Sequence, residues 1–590
     1  MGEFNLHTQH WRLETIADRV ARLSFDMEAS KTNVLSAEVL NQFEECLDFV
    51  AEKNPRGLLV CSAKKSGFIA GADIKEFTTL RNFDEAFSLI RRGQSVFDKL
   101  ENLSFPTVSL IDGFCLGGGM ELALSCTYRV AVGDGKTRIG LPEVLLGIHP
   151  GFGGTVRLTK LIGAPAALDL MLSGRTLDAK RAKRFGIVDA VVPGRHLERS
   201  GLLCIEKKLP AYSPTLFQKL SNASLLRPLI KMAVVSKVKS KVAKKHYPAP
   251  FSMIDVWEKY GGNSEKMLRA EAESVAKLIT GQTAQNLVRA FFLRERLKGL
   301  SRGTSFRPKH VHVIGAGTMG GDIAAWCALR GLKVTLQDRE PKLIAPALGR
   351  AAKLFKKRVR VSHLVRDGLD RLVPDPSGHI GLGRADVVIE AVFEDIGVKK
   401  ALFEEIEGKV RKDALLATNT SSIPLEEVSA TLRNPERLIG LHFFNPVSQM
   451  PLVEVVQGEN TNAEEVKKGI SLMKQIDKLP LPVRSCPGFL VNRVLMPYLM
   501  EAVHLAEEGV PIALIDKVAV HFGMPMGPIF LADTVGLDIC LHVAEVLASR
   551  VGTDIPEKLR SMVNAGKVGK KSGEGFFTYK KGKPVHASVD

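Results

Sequence analysis

Three glycines, Gly315, Gly317 and Gly320, have the spacing G-x-G-x-x-G in the segment HVHVIGAGTMGGDIAAWC. They follow an apolar run typical of a buried strand and precede a helical pattern. The first glycine permits a tight turn, the second lets the backbone approach a pyrophosphate, and the third lets the helix pack on the sheet. Asp338 follows the next predicted strand, where a carboxylate bonds a ribose 2′-hydroxyl and repels a 2′-phosphate. The pattern predicts a site for NAD rather than NADP.

A histidine and a glutamate share the segment LHFFNPVSQMPLVEVV further along the chain. Oxidation of a secondary alcohol needs a base for the hydroxyl proton, and histidine is the usual base near neutral pH. His442 fits that role, and Glu454 would fix its tautomer and raise its basicity. A histidine in an apolar run is more often a satisfied core residue, so that alternative stays open on these two residues alone.

Two glutamates in the N-terminal third accompany glycine-rich turns. Glu121 follows DGFCLGGGM, and Glu143 lies in IGLPEVLLGIHPGFGGT. Two carboxylates that flank one site can divide acid and base work on a single water molecule. Backbone N–H groups at a glycine-rich helix start can hold a developing enolate oxygen. The alternative is a pair of ordinary surface glutamates, although an unused carboxylate would be costly in so apolar a context.

Length and composition restrict the class of protein. The 590 residues suggest several domains, and 45% of the residues are hydrophobic, which excludes wholesale disorder. We expect neither a membrane-spanning helix nor a secretory signal. The eight cysteines are scattered without metal-ligand spacing, so we expect reduced thiols, a cytoplasmic location and no metal.

The formal net charge of +18 is compatible with nucleic acid, an acidic membrane surface or a polyanionic small ligand as a partner. Aromatic residues make up only 6% of the chain and do not interleave with the basic runs, which argues against nucleic acid. Basic residues around Lys231 to Lys245 could attract the phosphates of a small ligand, and a solvated basic face is the alternative. At most we expect a peripheral contact with a membrane.

The local patterns predict an α/β multidomain protein. In residues 1–195, ADRVARLSFD, RGLLVCSA and PTVSLIDG predict strands, and SAEVLNQFEECLDFVAE predicts an amphipathic helix. Residues 196–305 are helical and basic. Residues 306–485 begin as strand, glycine turn, helix and strand, and residues 486–590 are predicted to be helical.

The motifs GAGTMG, EAVFEDIGVKK, NTSS, HFFNP and PGFLVNR, in this order, resemble the 3-hydroxyacyl-CoA dehydrogenase family. The resemblance implies a Rossmann NAD-binding domain followed by an all-α domain. It implies that His442 is the catalytic base and Glu454 its partner. Substrate contacts are implied for Ser421, Asn445 and Asn492. Contacts with NAD are implied for Asp338, Glu394 and Lys399.

The segments GFIAGADIKEF, DGFCLGGGM and IGLPEVLLGIHPGFGGT resemble the crotonase family, which comprises enoyl-CoA hydratases and isomerases. The resemblance implies a ββα spiral in which Ala72 and Gly118 supply the N–H groups of an oxyanion hole for the thioester carbonyl. It implies that Glu121 activates the water that attacks Cβ and that Glu143 delivers a proton to Cα. Isomerisation of Δ3 to Δ2 double bonds is an expected accessory activity.

The order of the two regions resembles the multifunctional fatty-acid β-oxidation enzymes of the alpha-subunit type. The hydratase product, an L-3-hydroxyacyl-CoA, is the dehydrogenase substrate, so the two sites would run consecutive steps on CoA thioesters. The segment TAQNLVRAFFLRERLKG resembles the linker helix of that family. The resemblance also implies a thiolase partner subunit.

Multifunctional relatives usually carry two C-terminal helical modules, and this chain has one. We therefore expect either a homodimer through residues 486–580 or a shortened chain with a weakened dehydrogenase half. Two other classes of protein stay open. One is a CoA- or NAD-binding protein with one active site silenced, and the other is a basic scaffold for membrane or nucleic acid.

Overall fold

The computed structural model describes residues 5–359, 361–552 and 554–585. The chain divides into two compact units, Met1–Phe292 and Leu293–Asp590. In the part of the chain that the structure describes, no helix is both long enough and apolar enough to cross a bilayer.

Two sheets form the centre of the first unit. The strands are β1 (Asn5–His7), β2 (Trp11–Thr15), β3 (Val20–Phe25), β4 (Gly57–Ser62), β5 (Gly67–Ile69), β6 (Thr107–Ile111), β7 (Phe114–Leu116), β8 (Tyr128–Val132), β9 (Arg138–Gly140) and β10 (Ala190–Val192). The larger sheet has the order β1-β2-β3-β4-β6-β8-β10, and the smaller one β5-β7-β9. Consecutive strands β4/β5, β6/β7 and β8/β9 each contribute one strand to each sheet. This repeat confirms the predicted ββα spiral.

Helices surround these sheets. They are α1 (Ala37–Lys53), α2 (Ile74–Phe77), α3 (Phe83–Glu101), α4 (Gly118–Ser125), α5 (Gly154–Ile162), α6 (Ala164–Ser173), α7 (Ala179–Phe185), α8 (Leu197–Ile205), α9 (Leu216–Leu220), α10 (Arg227–Lys239), α11 (Ala249–Tyr260), α12 (Ser264–Ile279) and α13 (Gln282–Gly299). The Ser36 side chain caps α1 by accepting the N–H of Val39, which sets the start of the predicted amphipathic helix.

The helices that follow residue 195 share the core of the first unit. Met253 and Trp257 of α11 and Met267 of α12 belong to the same buried cluster as Leu58 of β4 and Phe97 of α3. Burial of such large side chains supplies most of the driving force for this packing. The chemistry of the first unit can therefore draw on residues as late as α12, while the functional boundaries at 195, 305 and 485 stay predictions.

An eight-stranded sheet organises the second unit. Its strands are β11 (His310–Ile314), β12 (Lys333–Gln337), β13 (Leu372–Pro374), β14 (Val387–Glu390), β15 (Leu415–Thr418), β16 (Leu438–Phe443), β17 (Leu452–Gln457) and β18 (Leu479–Arg484). The order β13-β12-β11-β14-β15-β16-β17-β18 reverses at β11, and only β16 and β17 pair antiparallel. Ligands bind beyond the carboxyl ends of parallel strands at such a reversal, so the predicted Rossmann fold is confirmed.

Helices cover this sheet and form the C-terminal part of the unit. They are α14 (Thr318–Leu329), α15 (Ile344–Val359), α16 (Ser362–Asp370), α17 (Ile396–Glu407), α18 (Leu425–Ser429), α19 (Ala463–Gln475), α20 (Val491–Glu507), α21 (Ile512–Phe522), α22 (Pro528–Val535), α23 (Leu537–Val551) and α24 (Glu557–Asn564). Helices α20 to α24 have their own apolar core, as predicted. A short hairpin of β19 (Thr578–Lys580) and β20 (Lys583–Val585) follows them, which the helical prediction did not include.

Candidate active sites

Glycines bring two chain segments together at the start of α4. Gly117 has φ 52° and ψ −129°, a conformation that favours glycine, and it leads directly into α4. A Cβ on Gly119 would lie 2.6 Å from the carbonyl oxygen of Ile69, so only glycine allows α4 to approach β5 this closely. The consequence is that Glu121 occupies the first turn of α4 with its side chain buried.

The Glu121 carboxylate is anchored by the backbone at the start of α5. Its Oε1 accepts the N–H groups of Phe152 and Gly154, each at 2.8 Å. Burial raises the pKa of Glu121 well above its ordinary value, and repulsion from Glu143 and Glu271 adds to that shift. The two N–H groups act in the opposite direction because they stabilise the charged form.

Glu143 lies near the start of α4 as well, but its carboxylate is not anchored by backbone N–H groups. A Cβ on Gly117 would lie 3.3 Å from Glu143 Oε1, which places the carboxylate against the turn that starts α4. Both carboxylate oxygens are buried and, within the described residues, neither has a hydrogen-bond partner. Burial raises the pKa of Glu143 to about 8. Burial thus favours the protonated form of both carboxyl groups, but only Glu121 has N–H donors that stabilise a negative charge.

Two backbone N–H groups point to an oxyanion hole beside this pair. Ala72 follows β5, and a Cβ on Gly118 would lie 3.6 Å from the nitrogen of Ala72. Among the described residues, neither the N–H of Ala72 nor that of Gly118 has a backbone acceptor. Neighbouring unpaired N–H groups at a helix start are the donors that a developing oxyanion requires.

A third carboxylate, Glu271 of α12, belongs to this cluster and was missed by the sequence analysis. It is fully buried, and its oxygens accept the N–H groups of Gly153 at 2.7 Å and Thr155 at 3.1 Å. Burial raises its pKa to about 7. Local sequence offered no signal, since Glu271 is one of several charged residues in the helical segment EKMLRAEAESVAKL.

In the second unit, the glycine turn after β11 has the geometry that a dinucleotide needs. Gly315 has φ 105°, and a Cβ there would lie 2.4 Å from the carbonyl oxygen of Ala391. A Cβ on Gly320 would lie 1.9 Å from the oxygen of Gly315, so α14 packs directly on the turn. Gly317 has no neighbour within 4 Å of its Cβ position, which leaves open space before the helix N-terminus.

Asp338 completes this turn at the end of β12. Its Oδ2 accepts the N–H of Ala316 at 2.6 Å, and its Oδ1 accepts the N–H of Glu340 at 2.9 Å. The carboxylate is thus held beside the glycine turn, at the position where a ribose follows a pyrophosphate in this fold. The residues present fit NAD.

His442 and Glu454 lie opposite each other on paired strands β16 and β17. Their side chains are joined by a 2.7 Å contact between His442 Nδ1 and Glu454 Oε2. The other oxygen, Glu454 Oε1, accepts the N–H groups of Leu490 at 3.0 Å and Val491 at 2.9 Å at the start of α20. A carboxylate so placed holds the Nδ1 proton and leaves Nε2 as the basic nitrogen.

The NTSS loop after β15 is tied to Glu394. Glu394 Oε1 accepts the hydroxyl of Thr420 at 2.6 Å and the N–H of Ser421 at 2.7 Å. Asn492 Nδ2 donates to the carbonyl of Ser421 at 3.1 Å. Burial alone would raise the pKa of Glu394, but Lys399 and the loop donors outweigh it and hold that pKa below its ordinary value.

Lys399 and Asn445 occupy very different surroundings. Lys399 is 1% exposed, with Nζ 2.7 Å from Oε1 of the equally buried Glu390 and 3.3 Å from Oε2 of Glu394. Glu390 was not predicted from sequence, because its position suggests only the last residue of an apolar strand.

Asn445 is exposed, and within the described residues no hydrogen bond joins it to Ser421 or Asn492.

Models of known families match three stretches of the chain. Residues 16–241 match the enoyl-CoA hydratase/isomerase family. Residues 310–486 match the NAD binding domain of 3-hydroxyacyl-CoA dehydrogenase, and residues 488–579 match its C-terminal domain. The chain belongs to the 3-hydroxyacyl-CoA dehydrogenase family through residues 310–579, and residues 16–241 add an enoyl-CoA hydratase/isomerase domain to it. It is a bifunctional enzyme of fatty-acid β-oxidation that combines an enoyl-CoA hydratase with an NAD-dependent 3-hydroxyacyl-CoA dehydrogenase.

Solved structures similar to the fusion enzyme include several dehydrogenases. FadB2 from M. tuberculosis is 36% identical, with 46% of this chain and 99% of that chain covered and a TM-score of 0.45. (S)-3-hydroxybutyryl-CoA dehydrogenase PaaH1 from Ralstonia eutropha is 36% identical; the match covers 47% of this chain and 100% of that chain, with a TM-score of 0.44. 3-hydroxybutyryl-CoA dehydrogenase from Escherichia coli K12 is 36% identical; the match covers 48% of this chain and 62% of that chain, with a TM-score of 0.45.

The family matches confirm several predictions from sequence. The crotonase resemblance, the dehydrogenase resemblance and the two enzyme classes are confirmed. NAD as cofactor and CoA thioesters as substrates are confirmed as well.

Proposed function

We propose that the fusion enzyme hydrates a 2-trans-enoyl-CoA at Glu121 and Glu143 and oxidises the resulting L-3-hydroxyacyl-CoA at His442 and Glu454. The observation that carries this proposal is the contrast between the two buried glutamates. Glu121 accepts two N–H bonds, whereas Glu143 accepts none within the described residues and has a pKa of about 8. One is suited to act as a base and the other as an acid.

In the hydration step, Glu121 takes a proton from the water whose oxygen forms the bond to Cβ. The electron pair of the Cα=Cβ bond moves toward the thioester, and negative charge develops on its carbonyl oxygen. The N–H groups of Ala72 and Gly118 are available to stabilise that charge. Glu143 then delivers its proton to Cα, which completes the 3-hydroxyacyl thioester.

In the oxidation step, His442 Nε2 accepts the proton of the 3-hydroxyl group. Glu454 stabilises the imidazolium that forms, and the two N–H groups at the start of α20 hold that carboxylate in place. NAD, when bound, supplies the acceptor for the hydride that leaves the alcohol carbon. Gly315, Gly317 and Gly320 would hold its pyrophosphate, and Asp338 its ribose.

Polar residues around His442 position the substrate and the cofactor. Ser421, Asn492 and Asn445 would contact the hydroxyl or thioester region. The bond between Asn492 and the Ser421 carbonyl supports a common role for the first two, while the exposure of Asn445 leaves its side chain free to meet a ligand. Glu394 and Lys399 would act on NAD. Because Lys399 is buried against two carboxylates, its effect would pass through Glu394.

The same carboxylate pair is suited to isomerise a Δ3-enoyl-CoA. One carboxylate removes a proton from Cα, and a protonated carboxylate returns one to Cγ, so that the double bond moves into conjugation. A carboxyl group with a pKa of about 8 can do this near neutral pH. Conversion of a 3-enoyl-CoA to the conjugated thioester, lost in a Glu143→Gln variant, is the expected result.

We also propose that two copies of the chain associate through residues 486–580. The side chains that support this are apolar and exposed on α20, α21 and α23: Val494, Leu514, Val518, Phe522 and Ile539. Exposed apolar patches of this kind mark interfaces. Sedimentation should give a dimer for the parent chain and a monomer for Phe522→Glu. A monomeric parent with full oxidation activity would contradict the proposal.

Eight free cysteines favour a reducing compartment, for which the cytoplasm is our proposal. A thiolase partner subunit, the absence of a nucleic acid partner and at most a peripheral contact with membrane stay predictions from the sequence.

The experiment that tests the proposed function supplies a medium-chain 2-trans-enoyl-CoA with NAD. Loss of the enoyl thioester and formation of NADH are followed together. Both signals should appear, with NADH lagging behind enoyl loss. Enoyl loss without NADH would contradict the proposed oxidation site, and the absence of both signals would contradict the whole assignment.

A further inference from the structure

Four consecutive backbone N–H groups at the start of α5 donate alternately to two carboxylates, those of Glu121 and Glu271. Phe152 and Gly154 donate to Glu121, each at 2.8 Å. Gly153 and Thr155 donate to Glu271, at 2.7 Å and 3.1 Å. The start of α5 is therefore held from both sides, and any movement of Glu271 would shift the donors that orient Glu121.

Every group that contacts the Glu271 carboxylate is a donor. Besides the two backbone N–H groups, Glu271 accepts the hydroxyl of Thr155 and the amide of Gln94, whose Nε2 is 3.1 Å from Oε1. Gln94 is oriented for this because its Nε2 also donates to the carbonyls of Gly151 and Leu268. The two backbone N–H groups and the Gln94 amide can only donate at these contacts, so they stabilise the ionised form of the carboxylate, and the Thr155 hydroxyl can donate to it as well.

No cation that balances Glu271 contacts it directly among the described residues. Arg157 of α5 donates to the Phe152 carbonyl, and its charge is balanced by two carboxylates of α3, Asp98 and Glu101. His149 contacts Ser274 of α12, and burial lowers its pKa to about 4, so it is neutral.

Arg91 of α3 acts on the cluster through Gln94, since its guanidinium donates to the oxygen of Gln94 at 2.7 Å. Because the Gln94 oxygen accepts this bond from Arg91, the Gln94 NH₂ group is the end of the amide that lies toward Glu271. The charges that raise the pKa of Glu121 are those of Glu143 and Glu271, and the charge that raises the pKa of Glu143 is that of Glu271.

We propose that Glu271 is a positioning residue for hydration: it fixes the N–H groups that orient Glu121, and in its ionised form it helps to keep a proton on Glu143. This inference rests on the roles proposed for Glu121 and Glu143. Glu271 lies beyond residues 16–241, the stretch that matches the hydratase/isomerase family, so α12 completes a site that the matched stretch alone does not contain.

The direction of the electrostatic effect follows from the sign of the charge. A fixed negative charge disfavours a second negative charge nearby, so it raises the pKa of both Glu121 and Glu143. Removal of that charge would lower both values. The acid would then lose its proton at lower pH, and the base would remain ionised to lower pH.

The test compares pH profiles of hydration for the full-length parent, Glu271→Gln and Glu273→Gln. Glu273 lies on the same helix, is partly exposed and pairs with Arg269, so it controls for a charge change on α12. Loss of enoyl absorbance is followed without NAD. We expect the profile of Glu271→Gln to move toward lower pH by about one unit and that of Glu273→Gln to match the parent.

Thr155→Val provides a second variant if Glu271→Gln does not fold. It removes one donor to Glu271 and retains the shape of the side chain, so Glu271 holds its charge less firmly. The profile should move in the same direction by a smaller amount. Profiles of the folded variants that superimpose on the parent would overturn the proposal.

Failure of this inference can be distinguished from failure of the proposed function. If Glu121→Gln retains hydration at the pH optimum, the proposed role of Glu121 is wrong, whatever Glu271→Gln does. If Glu121→Gln is inactive and the profile of Glu271→Gln is unshifted, only the role of Glu271 is wrong. NADH formation from L-3-hydroxyacyl-CoA by each variant reports on the integrity of the second unit.

Discussion

The two sites of the fusion enzyme place their carboxylates in contrasting surroundings. Around Glu121 lie three buried carboxylates, of which Glu121 and Glu271 accept backbone N–H groups and Glu143 accepts none; among the described residues no cation contacts them, and burial raises the pKa of each. Glu454 instead meets His442 on the paired strand and two N–H groups at the start of α20. In the proposed mechanism the first site therefore controls a proton through burial and mutual repulsion. The second controls it through the geometry of one hydrogen-bonded pair.

The largest expected effect is on hydration in the first unit. Glu121→Gln should lower the hydration rate about 1000-fold, because the amide cannot accept a proton from water. Oxidation of L-3-hydroxyacyl-CoA by the same variant should be unchanged. Glu45→Gln, an exposed change on α1, is the control, and a loss of hydration in that variant would point to a general effect of charge on the first unit.

The reciprocal change should affect only the second unit. His442→Gln should lower NADH formation from L-3-hydroxyacyl-CoA about 100-fold, because Nε2 no longer accepts the hydroxyl proton. Enoyl loss should continue at the parental rate. The exposed His363 offers a matched control, and unchanged oxidation in His442→Gln would assign the base to another residue.

The two steps should also differ in their response to alkaline pH. Because hydration needs the proton on Glu143, whose pKa is raised to about 8, its rate should fall about tenfold between pH 8 and pH 9.5. Oxidation depends on no protonated carboxyl group and should not share this limb. Separate initial-rate profiles for the two substrates measure the difference. A similar fall of both rates above pH 8 would contradict the predicted difference between the two sites.

The smallest expected effect is on the choice of dinucleotide. Asp338→Asn retains an oxygen that can accept the N–H of Ala316 but removes the charge that repels a 2′-phosphate. The ratio of kcat/KM for NAD to that for NADP should fall about fivefold. Asp367→Asn, an exposed change on α16, should leave the ratio unchanged. An unaltered ratio in Asp338→Asn would place the discriminating group elsewhere.

Local sequence predicted the features whose signal is itself local. The glycine spacing predicted the turn between β11 and α14, because positive φ at Gly315 and the contact at Gly320 leave room for glycine alone. The proximity of His442 and Glu454 was expected from the motif and follows from the register of two adjacent strands.

Sequence could not predict contacts made by distant segments. Glu271 meets the start of α5 only because α11 and α12 pack on the core of the first unit. Its burial is a property of that packing, since the helix around it carries charges on several sides. Asn445 shows the converse case, because a residue close to His442 in sequence is exposed and makes no bond to the Ser421 and Asn492 pair among the described residues.

If two independent sites carry out consecutive steps, two variants that each lack one site should complement each other. Glu121→Gln and His442→Gln are supplied with 2-trans-enoyl-CoA and NAD, separately and then mixed. Neither variant alone should form NADH beyond a residual rate, and the mixture should form it after a lag, because the hydroxyacyl intermediate passes from one variant to the other. A mixture that forms no NADH, or full NADH formation by either variant alone, would contradict the account.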